Sequence, residues 1–158
     1  MTGHKVQSTD HVAHEAQGWR SQGKSVVFTN GCFDLLHVGH VQTLETARSF
    51  GDVLIVGVNS DASVKRLKGE RRPLVPEQDR ARVIAALACV DRVVIFDEST
   101  PVETIDSIRP DIHVKGGDYT GQVLPEEATV KKHGGEVRFI TLVENRSTTR
   151  LVSLLERE

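Results

Sequence analysis

The sequence predicts an α/β fold in which a five-stranded parallel sheet carries helices on both faces. Two observations support this prediction. Strand-like and helix-like segments alternate along the chain, and this order is typical of a parallel sheet. The strand segments are also apolar along their length, as in residues 52–58, which is expected of strands that are buried on both faces.

The first half of the chain shows this alternation clearly. Thr9 or Asp10 can cap a first helix that ends near Gly23, and the β-branched run after it is a strand that Asn30 and Gly31 end. The elements predicted for this half are a helix at residues 9–23, a strand at 26–29, a helix from Val38 through Ala47, a strand at 52–58, a short helix at 62–67, a polar loop at 68–76 and a helix at 77–89 with a stripe of Val83, Ile84, Leu87 and Ala88.

The second half continues in the same way. Thr100, Pro101 and Glu103 have the pattern of a capping box with proline at the first helical position. Ser147 and the two threonines after it can cap the last helix. The elements predicted for this half are strands at residues 92–96, 111–114 and 136–143, and helices at 101–108, 125–134 and 150–155.

Length and composition fit a single domain of ordinary solubility. The chain has 158 residues and a net charge of −2, so its charge gives no reason to expect nucleic acid or a membrane surface as a partner. No apolar run reaches the ~18 residues of a membrane span, and the polar N-terminus lacks the pattern of a signal peptide. We therefore expect a cytoplasmic protein with two free cysteines, a disordered segment at residues 1–8 and one domain at residues 9–158.

Polar residues follow four of the predicted strands directly. They occupy residues 30–40, 59–72, 115–119 and 144–149. The carboxyl ends of parallel strands lie at one edge of a sheet, and ligands bind in the crevice beyond that edge. The four segments are therefore expected to converge on one site.

The densest of these segments joins the first strand to the helix after it. A strand, a glycine-containing turn and a helix N-terminus form a common phosphate site, because free backbone N–H groups and the helix dipole point at the turn. His37 and His40 are three residues apart, so both imidazoles can lie on the same side, and Gly39 allows a ligand to approach closely. A metal pair is the alternative, but no third ligand has a suitable spacing, and we predict no metal site formed by the protein itself.

The sequence offers donors for phosphate oxygens rather than groups for covalent catalysis. It has no Ser-His-Asp pattern, no Cys-His pair with a third orienting group and no Walker motif. Lys68, Arg71, Arg72 and Lys115 could instead hold a nucleoside triphosphate and neutralise charge during transfer at phosphorus. Taken alone, the three basic residues of the polar loop could equally be a solvated surface. The same loop could close over a triphosphate, with which we expect Mg²⁺ to enter.

Two motifs carry a resemblance to a known family. Gly-x-Phe-Asp-x-x-His-x-Gly-His at residues 31–40 resembles the signature of the cytidylyltransferase-like nucleotidyltransferases. Lys-Gly-Gly-Asp-Tyr at residues 115–119 and Ser-Thr-Thr at 147–149, with further matches over about residues 24–155, resemble the bacterial heptose-phosphate nucleotidyltransferases. The resemblance implies a Rossmann-like nucleotidyltransferase that forms ADP-heptose or GDP-heptose and pyrophosphate from a nucleoside triphosphate and D-glycero-D-manno-heptose 1-phosphate. Bifunctional members also contain a sugar kinase, which these residues lack, so a separate protein would supply the sugar 1-phosphate.

The resemblance also implies roles for single residues, and we expect a homodimer. His37, His40 and Lys68 would act on the triphosphate as catalytic residues. The sugar phosphate would contact Asp34, Asn59, Asp61 and Arg72. The nucleotide would contact Thr29, Asn30, Gly31, Cys32, Phe33, Gly39, Lys115, Gly117, Asp118, Ser147, Thr148 and Thr149.

Two other functions remain open at this point. One is a cytidylyltransferase for glycerol 3-phosphate or another phosphorylated alcohol, and the Lys-Gly-Gly-Asp-Tyr run argues against it. The other is a nucleotide-binding regulator without catalysis, which is disfavoured because both histidines and Lys68 are present. A class I aminoacyl-tRNA synthetase, a relative of the same superfamily, is excluded by size and by the absence of a Lys-Met-Ser-Lys-Ser loop.

Overall fold

The computed structural model describes residues 2–117, 122–141 and 148–155, with only the backbone of residues 148–150. Five parallel strands form one sheet in the order β3-β2-β1-β4-β5. The predicted α/β fold with a five-stranded parallel sheet is confirmed. The strands are β1 Val26–Gly31, β2 Val53–Asn59, β3 Arg92–Phe96, β4 Ile112–Gly116 and β5 Glu136–Ile140.

Helices cover both faces of this sheet because side chains alternate along each strand. Val27 of β1 packs with residues of two helices on one face, and Phe28 packs with residues of three helices on the other. No helix in the described parts of the chain is long and apolar enough to cross a membrane. The helices are α1 Thr9–Ser21, α2 Val38–Arg48, α3 Asp61–Lys68, α4 Glu77–Ala85, α5 Val102–Ile108, α6 Glu127–Lys132 and α7 Thr148–Leu155; α2 and α4 lie on the Val27 face, and α1, α5 and α6 on the Phe28 face.

The strand order reverses between β1 and β4. From β1 the chain builds outward through β2 and β3, then crosses over to form β4 and β5 on the other side. Thr29 pairs with Val114 across this point, and its hydroxyl donates a hydrogen bond to the Val114 carbonyl at 2.9 Å. Ligands of open α/β sheets bind at such a switch point, so the carboxyl ends of β1 and β4 define where a site is expected.

The N-terminal segment is ordered, and the prediction of disorder for it is wrong. Gly3–Lys5 form a 3₁₀ turn, and Val6 pairs with Val93 of β3 in a parallel bridge. Lys5 Nζ donates to the Val90 carbonyl at 2.6 Å. These contacts are tertiary, and they attach the segment to the edge of the sheet. The sequence of the segment has no helical or strand periodicity from which this could be predicted.

The predicted capping box at the start of α5 is also wrong. Pro101 is the N-cap residue, and no side chain caps the helix there. The carboxylate of Glu98 instead accepts hydrogen bonds from the backbone N–H and the hydroxyl of Thr104, at 3.0 and 2.9 Å. A carboxylate from the preceding loop thus satisfies a backbone donor of the first turn. The sequence pattern had assigned this role to the capping box of Thr100 and Glu103.

Candidate functional site

Most residues of the β1–α2 segment that were predicted to bind nucleotide line one cavity at the carboxyl edge of the sheet. Its volume is about 190 Å³, which is less than the ~300–1,000 Å³ of a typical small-molecule pocket and suits part of a nucleotide. The cavity is lined by Thr29, Asn30, Gly31, Cys32, Phe33, Asp34, His40, Thr43, Leu44, Lys68 and Gly116.

The turn after β1 brings an aromatic ring against one histidine. Phe33 has a left-handed backbone with φ of 48°, which is uncommon for a bulky residue. Its ring meets the His40 ring edge-on, with centroids 5.2 Å apart. A Cβ atom at Gly31 would lie 3.1 Å from the Phe33 ring, so the closeness of this turn explains the glycine.

His37 and His40 cap the N-terminus of α2 reciprocally. His37 is the N-cap residue, and its Nδ1 accepts from the Gly39 N–H at 3.1 Å, while His40 Nδ1 accepts from the His37 N–H at 3.4 Å. The two rings stack with centroids 3.8 Å apart, so they lie on the same side as predicted. An accepting Nδ1 in a neutral imidazole leaves the proton on Nε2. Both rings can therefore donate from Nε2, for which the described residues provide no partner.

Burial keeps both histidines neutral near pH 7. Burial lowers the pKa of His37, and it lowers the pKa of His40 to about 4 with a further contribution from His37 and the Lys68 charge. Protonation at Nδ1 would also break the capping hydrogen bonds. The two rings therefore act as neutral N–H donors, and the positive charge beside them belongs to Lys68.

Lys68 is the last residue of α3 and reaches the cavity from the β2 side. Ser60 begins the helix, and its hydroxyl accepts from the Ser63 N–H at 3.0 Å. Gly69 then ends the helix with a φ of 95°. The Lys68 side chain is exposed and has no hydrogen bond or ion pair with any described residue. Its ammonium group is available to an anion.

Asp34 anchors the polar loop after α3. The residue is only 4% exposed, and its carboxylate accepts from Arg72 Nε at 2.6 Å and from the N–H groups of Leu74 and Val75 at 2.8 and 3.0 Å. Substrate contacts were predicted for Asp34 and Arg72, and the structure pairs the two side chains through Arg72 Nε, while Arg72 Nη2 is buried without a partner among the described residues. Their pairing holds the loop against the turn after β1.

Arg80 is a structural residue of the site that sequence reasoning missed. Its side chain is fully buried, and Nη1 donates to the carbonyls of Cys32 and Asn59 at 2.6 and 2.7 Å. Nε donates to the Val75 carbonyl at 2.8 Å, and Nη2 donates to the Asp61 carboxylate at 2.7 Å. One guanidinium group thus joins the ends of β1 and β2, the polar loop and the start of α3.

The position of Arg80 on its helix was an available signal. Arg80, Ala81, Ile84 and Ala85 form the buried face of α4, whereas Val83 of the predicted stripe is 46% exposed. An arginine one helical turn before Ile84 lies on that face. A charged residue is almost never fully buried without partners, so its place on an apolar face indicated an internal network.

Three other residues with predicted ligand contacts also have partners inside the protein. Asn59 is only 3% exposed, and its side-chain amide donates to the Ser63 hydroxyl at 3.0 Å. Asp61 pairs with Arg80. Lys115 Nζ lies 3.1 Å from Glu126 Oε1. Gly116, the next residue of β4, lines the cavity, whereas Lys115 does not.

The remaining predicted nucleotide contacts lie at or beyond the limits of the described chain. Gly117 has a φ of 124°, which favours glycine, and its N–H donates to the Ile140 carbonyl at 2.9 Å. Thr148 and Thr149 are the first residues of α7, with their side chains outside the described atoms. Asp118 and Ser147 lie outside the described residues.

The described residues contain no group of three or more His, Cys, Asp or Glu side chains that could hold a metal ion. Cys32 and Cys89 are free thiols, and burial raises the pKa of both. The buried carboxylate in the cavity wall, Asp34, is engaged by the polar loop.

The fold and the site define the class of protein. A cavity at the switch point of a parallel sheet, with two N–H donors at a helix start and a lysine that has no partner among the described residues, is suited to phosphate groups under attack at phosphorus. The sequence matches the family described as cytidylyltransferase-like over residues 28–153. The chain belongs to this family, and it is a nucleotidyltransferase.

Curated relatives and a solved structure agree with this assignment. The chain is 58% identical over 139 residues to the bifunctional protein HldE of Syntrophotalea carbinolica, a match that covers 87% of the chain and 28% of that protein. It is 51% identical over 153 residues to the HldE protein of Geobacter metallireducens, with 97% and 31% covered. The chain thus spans less than a third of these relatives. The crystal structure of a lipopolysaccharide core biosynthesis protein from Thermoplasma volcanium has a TM-score of 0.62 and 31% identity, and covers 78% of this chain and 100% of its own.

Proposed function

We propose that the chain transfers a nucleoside monophosphate from a nucleoside triphosphate to D-glycero-D-manno-heptose 1-phosphate, which yields ADP-heptose or GDP-heptose and pyrophosphate. The observation that carries the chemistry is the pair of neutral histidines at the start of α2: His40 lines the cavity together with Lys68, and His37 stacks on the His40 ring. The heptose substrate rests on the likeness to the HldE proteins and on the Lys-Gly-Gly-Asp-Tyr run.

The proposed reaction needs no general base. A phosphate oxygen of the sugar 1-phosphate is already anionic near pH 7, and it attacks the α-phosphorus of the triphosphate. A phosphorus–oxygen bond forms there, and the bond from the α-phosphorus to the bridging oxygen of pyrophosphate breaks. Negative charge grows on the oxygens around the α-phosphorus and on the leaving group. Neutral His37 and His40 donate to these oxygens from Nε2, and the Lys68 ammonium group offsets the charge.

Mg²⁺ belongs to the same proposal as a partner of the triphosphate. Hard oxygen ligands suit the ion, and it retains several waters when it is bound mainly through phosphates. Its role would be to neutralise the phosphate charge, while the side chains of this protein orient the phosphate chain. A homodimer and a cytoplasmic location complete the proposal, and the solution mass of the purified protein tests the first of these.

A panel of pyrophosphate-release assays tests the proposal. Four nucleoside triphosphates are crossed with several sugar 1-phosphates, among them the heptose, and CTP with glycerol 3-phosphate is included. We expect Mg²⁺-dependent release with the heptose and either ATP or GTP, and none in EDTA. Preferred turnover of CTP with glycerol 3-phosphate would replace the proposed substrate, and a folded protein without release in any combination would contradict the proposed reaction.

A further inference from the structure

A buried ionic cluster lies at the end of β4, on the face of the sheet away from α2. His113 and Lys115 are on β4, and Glu126 directly precedes α6. His113 and Glu126 are 0% and 1% exposed, whereas the Lys115 side chain keeps 18% of its surface exposed. A single oxygen, Glu126 Oε1, lies 3.2 Å from His113 Nε2 and 3.1 Å from Lys115 Nζ.

The protonation states make this cluster neutral in total. Burial by itself raises the pKa of Glu126, but the hydrogen bond from His113 and the Lys115 charge outweigh it, and the pKa falls to about 2. Burial lowers the pKa of His113, so the ring is neutral and donates to the carboxylate. One ammonium group is therefore balanced by one carboxylate group.

Lys115 approaches the switch point from the face opposite the histidines. Val114 packs against Leu44 of α2, and side chains alternate along a strand, so Lys115 points to the other face. The next residue, Gly116, lines the cavity that contains His40. Lys115 therefore adjoins the cavity through its backbone, and its partly exposed ammonium group lies at the same end of β4 on the other face of the sheet.

Charge balance distinguishes Lys115 from Lys68. Lys68 has no partner among the described residues, so its full charge can act on a phosphate. A phosphate beside Lys115 would also lie near the Glu126 carboxylate, and repulsion between the anions would cancel much of the attraction. An ammonium group has three N–H donors, and Glu126 takes one. A neutral acceptor, such as a hydroxyl, carbonyl or ring nitrogen, can use another without an electrostatic penalty.

We propose that Glu126 is a positioning residue that holds the Lys115 ammonium group at the end of β4, where it donates to a neutral acceptor on the nucleoside or sugar part of a substrate rather than to its phosphates. This assignment rests on the nucleotidyl transfer proposed above. It divides recognition between two lysines: Lys68 meets the phosphates, and Lys115 meets an uncharged part of a substrate.

Steady-state kinetics with inorganic pyrophosphate as a phosphate-only inhibitor test the proposal. Lys115→Met and Glu126→Gln should each raise the KM of one substrate about tenfold, the value of one lost hydrogen bond to a charged donor, with kcat little changed. The inhibition constant of pyrophosphate should stay within about twofold in Lys115→Met, because the phosphate donors are unchanged. It should not rise in Glu126→Gln, which removes only a negative charge. The substrate whose KM rises identifies the acceptor as nucleoside or sugar. Lys68→Ala is the matched control and should instead weaken inhibition by pyrophosphate.

The double variant Lys115→Met/Glu126→Gln shows whether the two residues act together. It removes one charge of each sign, so it should fold at least as well as either single variant, and its KM should equal that of Lys115→Met alone. Additive effects would contradict a positioning role for Glu126. If Glu126→Gln does not fold, the double variant and Lys115→Arg, which keeps the charge, provide the same comparison.

Two results would overturn the proposal. Pyrophosphate inhibition that weakens in parallel with the substrate KM would show that Lys115 binds phosphate. A lower melting temperature with unchanged KM values would reduce the cluster to a structural role.

If the wild-type protein turns over no substrate of the panel, the proposed function fails separately. Calorimetric titrations of nucleoside triphosphates and of pyrophosphate into wild-type and Glu126→Gln protein then test Lys115 without turnover.

Discussion

One polar cavity lies at the amino ends of the strands (the amino edge) and another at their carboxyl ends (the carboxyl edge). The larger of the two is the poorer candidate for the functional site. The cavity at the amino edge has a volume of about 590 Å³, against about 190 Å³ at the carboxyl edge. The amino-edge cavity also contains more basic side chains. Its walls come from α1, α5, the start of β4 and the end of α6, and are formed by Ala13, His14, Gln17, Arg20, Ser107, Arg109, Asp111 and His133.

Three charged or titratable side chains of the amino-edge cavity, Arg20, Asp111 and His133, are already bound within the protein. Arg20 Nη1 donates to the two backbone carbonyls that end α5, each at 2.9 Å. The Asp111 carboxylate accepts from the Val26 N–H at 2.7 Å, and His133 Nε2 lies 2.8 Å from the Asp106 carboxylate. These groups connect helices and strand starts, and their hydrogen-bonding capacity serves the fold.

The carboxyl-edge cavity differs in what remains available. His37 and His40 use Nδ1 to cap α2, which leaves Nε2 free of partners among the described residues, and Lys68 has none either. A group that is oriented on one side and open on the other is suited to bind a ligand. Histidine donors that are held in place by a helix cap beside an available lysine, rather than volume or the number of charges, therefore distinguish the carboxyl-edge cavity.

The largest expected effect is the loss of either histidine. His37→Ala or His40→Ala should lower kcat by about 10²–10³, because each removes a donor that acts mainly on charge formed in the transition state. Pyrophosphate release measures the effect, and circular dichroism checks the fold. His133→Ala at the amino edge is the matched control and should keep near-wild-type turnover. Near-wild-type kcat in a folded His37/His40 double variant would remove the distinction between the cavities.

Loss of Lys68 should have the next largest effect. Lys68→Ala should lower kcat by about tenfold and raise KM by less, because the charge is most needed as negative charge grows around the α-phosphorus. Lys65→Ala is the matched control, since Lys65 is also exposed on α3 but does not line the cavity. A change in KM alone would make Lys68 a group that binds the ground state, and its catalytic role would be wrong.

The parts of the site that the sequence predicted are those that one short segment encodes. The turn after β1 and the start of α2 are contiguous, so the spacing of His37 and His40 already places both rings on one side of a helix start. The inner strands were predictable for a related reason. Burial on both faces makes a strand such as β2 continuously apolar, and that pattern is local.

The parts that the sequence did not predict depend on partners far along the chain. Asp61 was read as a substrate contact, but Arg80 from another helix binds it. Asp34 and Arg72 were read in the same way, although 38 residues separate them and they bind each other. Spacing within a segment identifies a polar residue at a strand end, whereas only tertiary packing decides whether a ligand or another side chain satisfies it.

The protonation of His40 offers a finer test of the carboxyl-edge cavity. The folded pKa lies near 4 and the ordinary value is 6.5, so the unfolded chain binds this proton first as the pH falls. Stability attributable to His40 is therefore complete above pH 6.5 and is lost as the pH falls towards 4. NMR titration of the ring should give a midpoint near pH 4, and pyrophosphate should raise it. A midpoint near 6.5 without ligand would contradict the neutral-donor account.

The smallest expected catalytic effect is at Arg20, the most engaged cation of the amino-edge cavity. Arg20→Met keeps most of the aliphatic length of the side chain and removes its charged donors to the carbonyls that end α5. Hydrogen bonds from a charged group to backbone carbonyls are each worth about 1.5–3 kcal/mol. Partial exposure of the guanidinium and water access to the carbonyls reduce this contribution. We therefore expect unfolding in urea to give a free energy of unfolding that is lower by about 1–2 kcal/mol. The kcat and KM values should stay within about twofold of wild type, because these donors support the fold and contact no substrate. A folded Arg20→Met protein with turnover reduced tenfold would place the amino-edge cavity in the functional site, and the distinction between bound and available donors would be wrong.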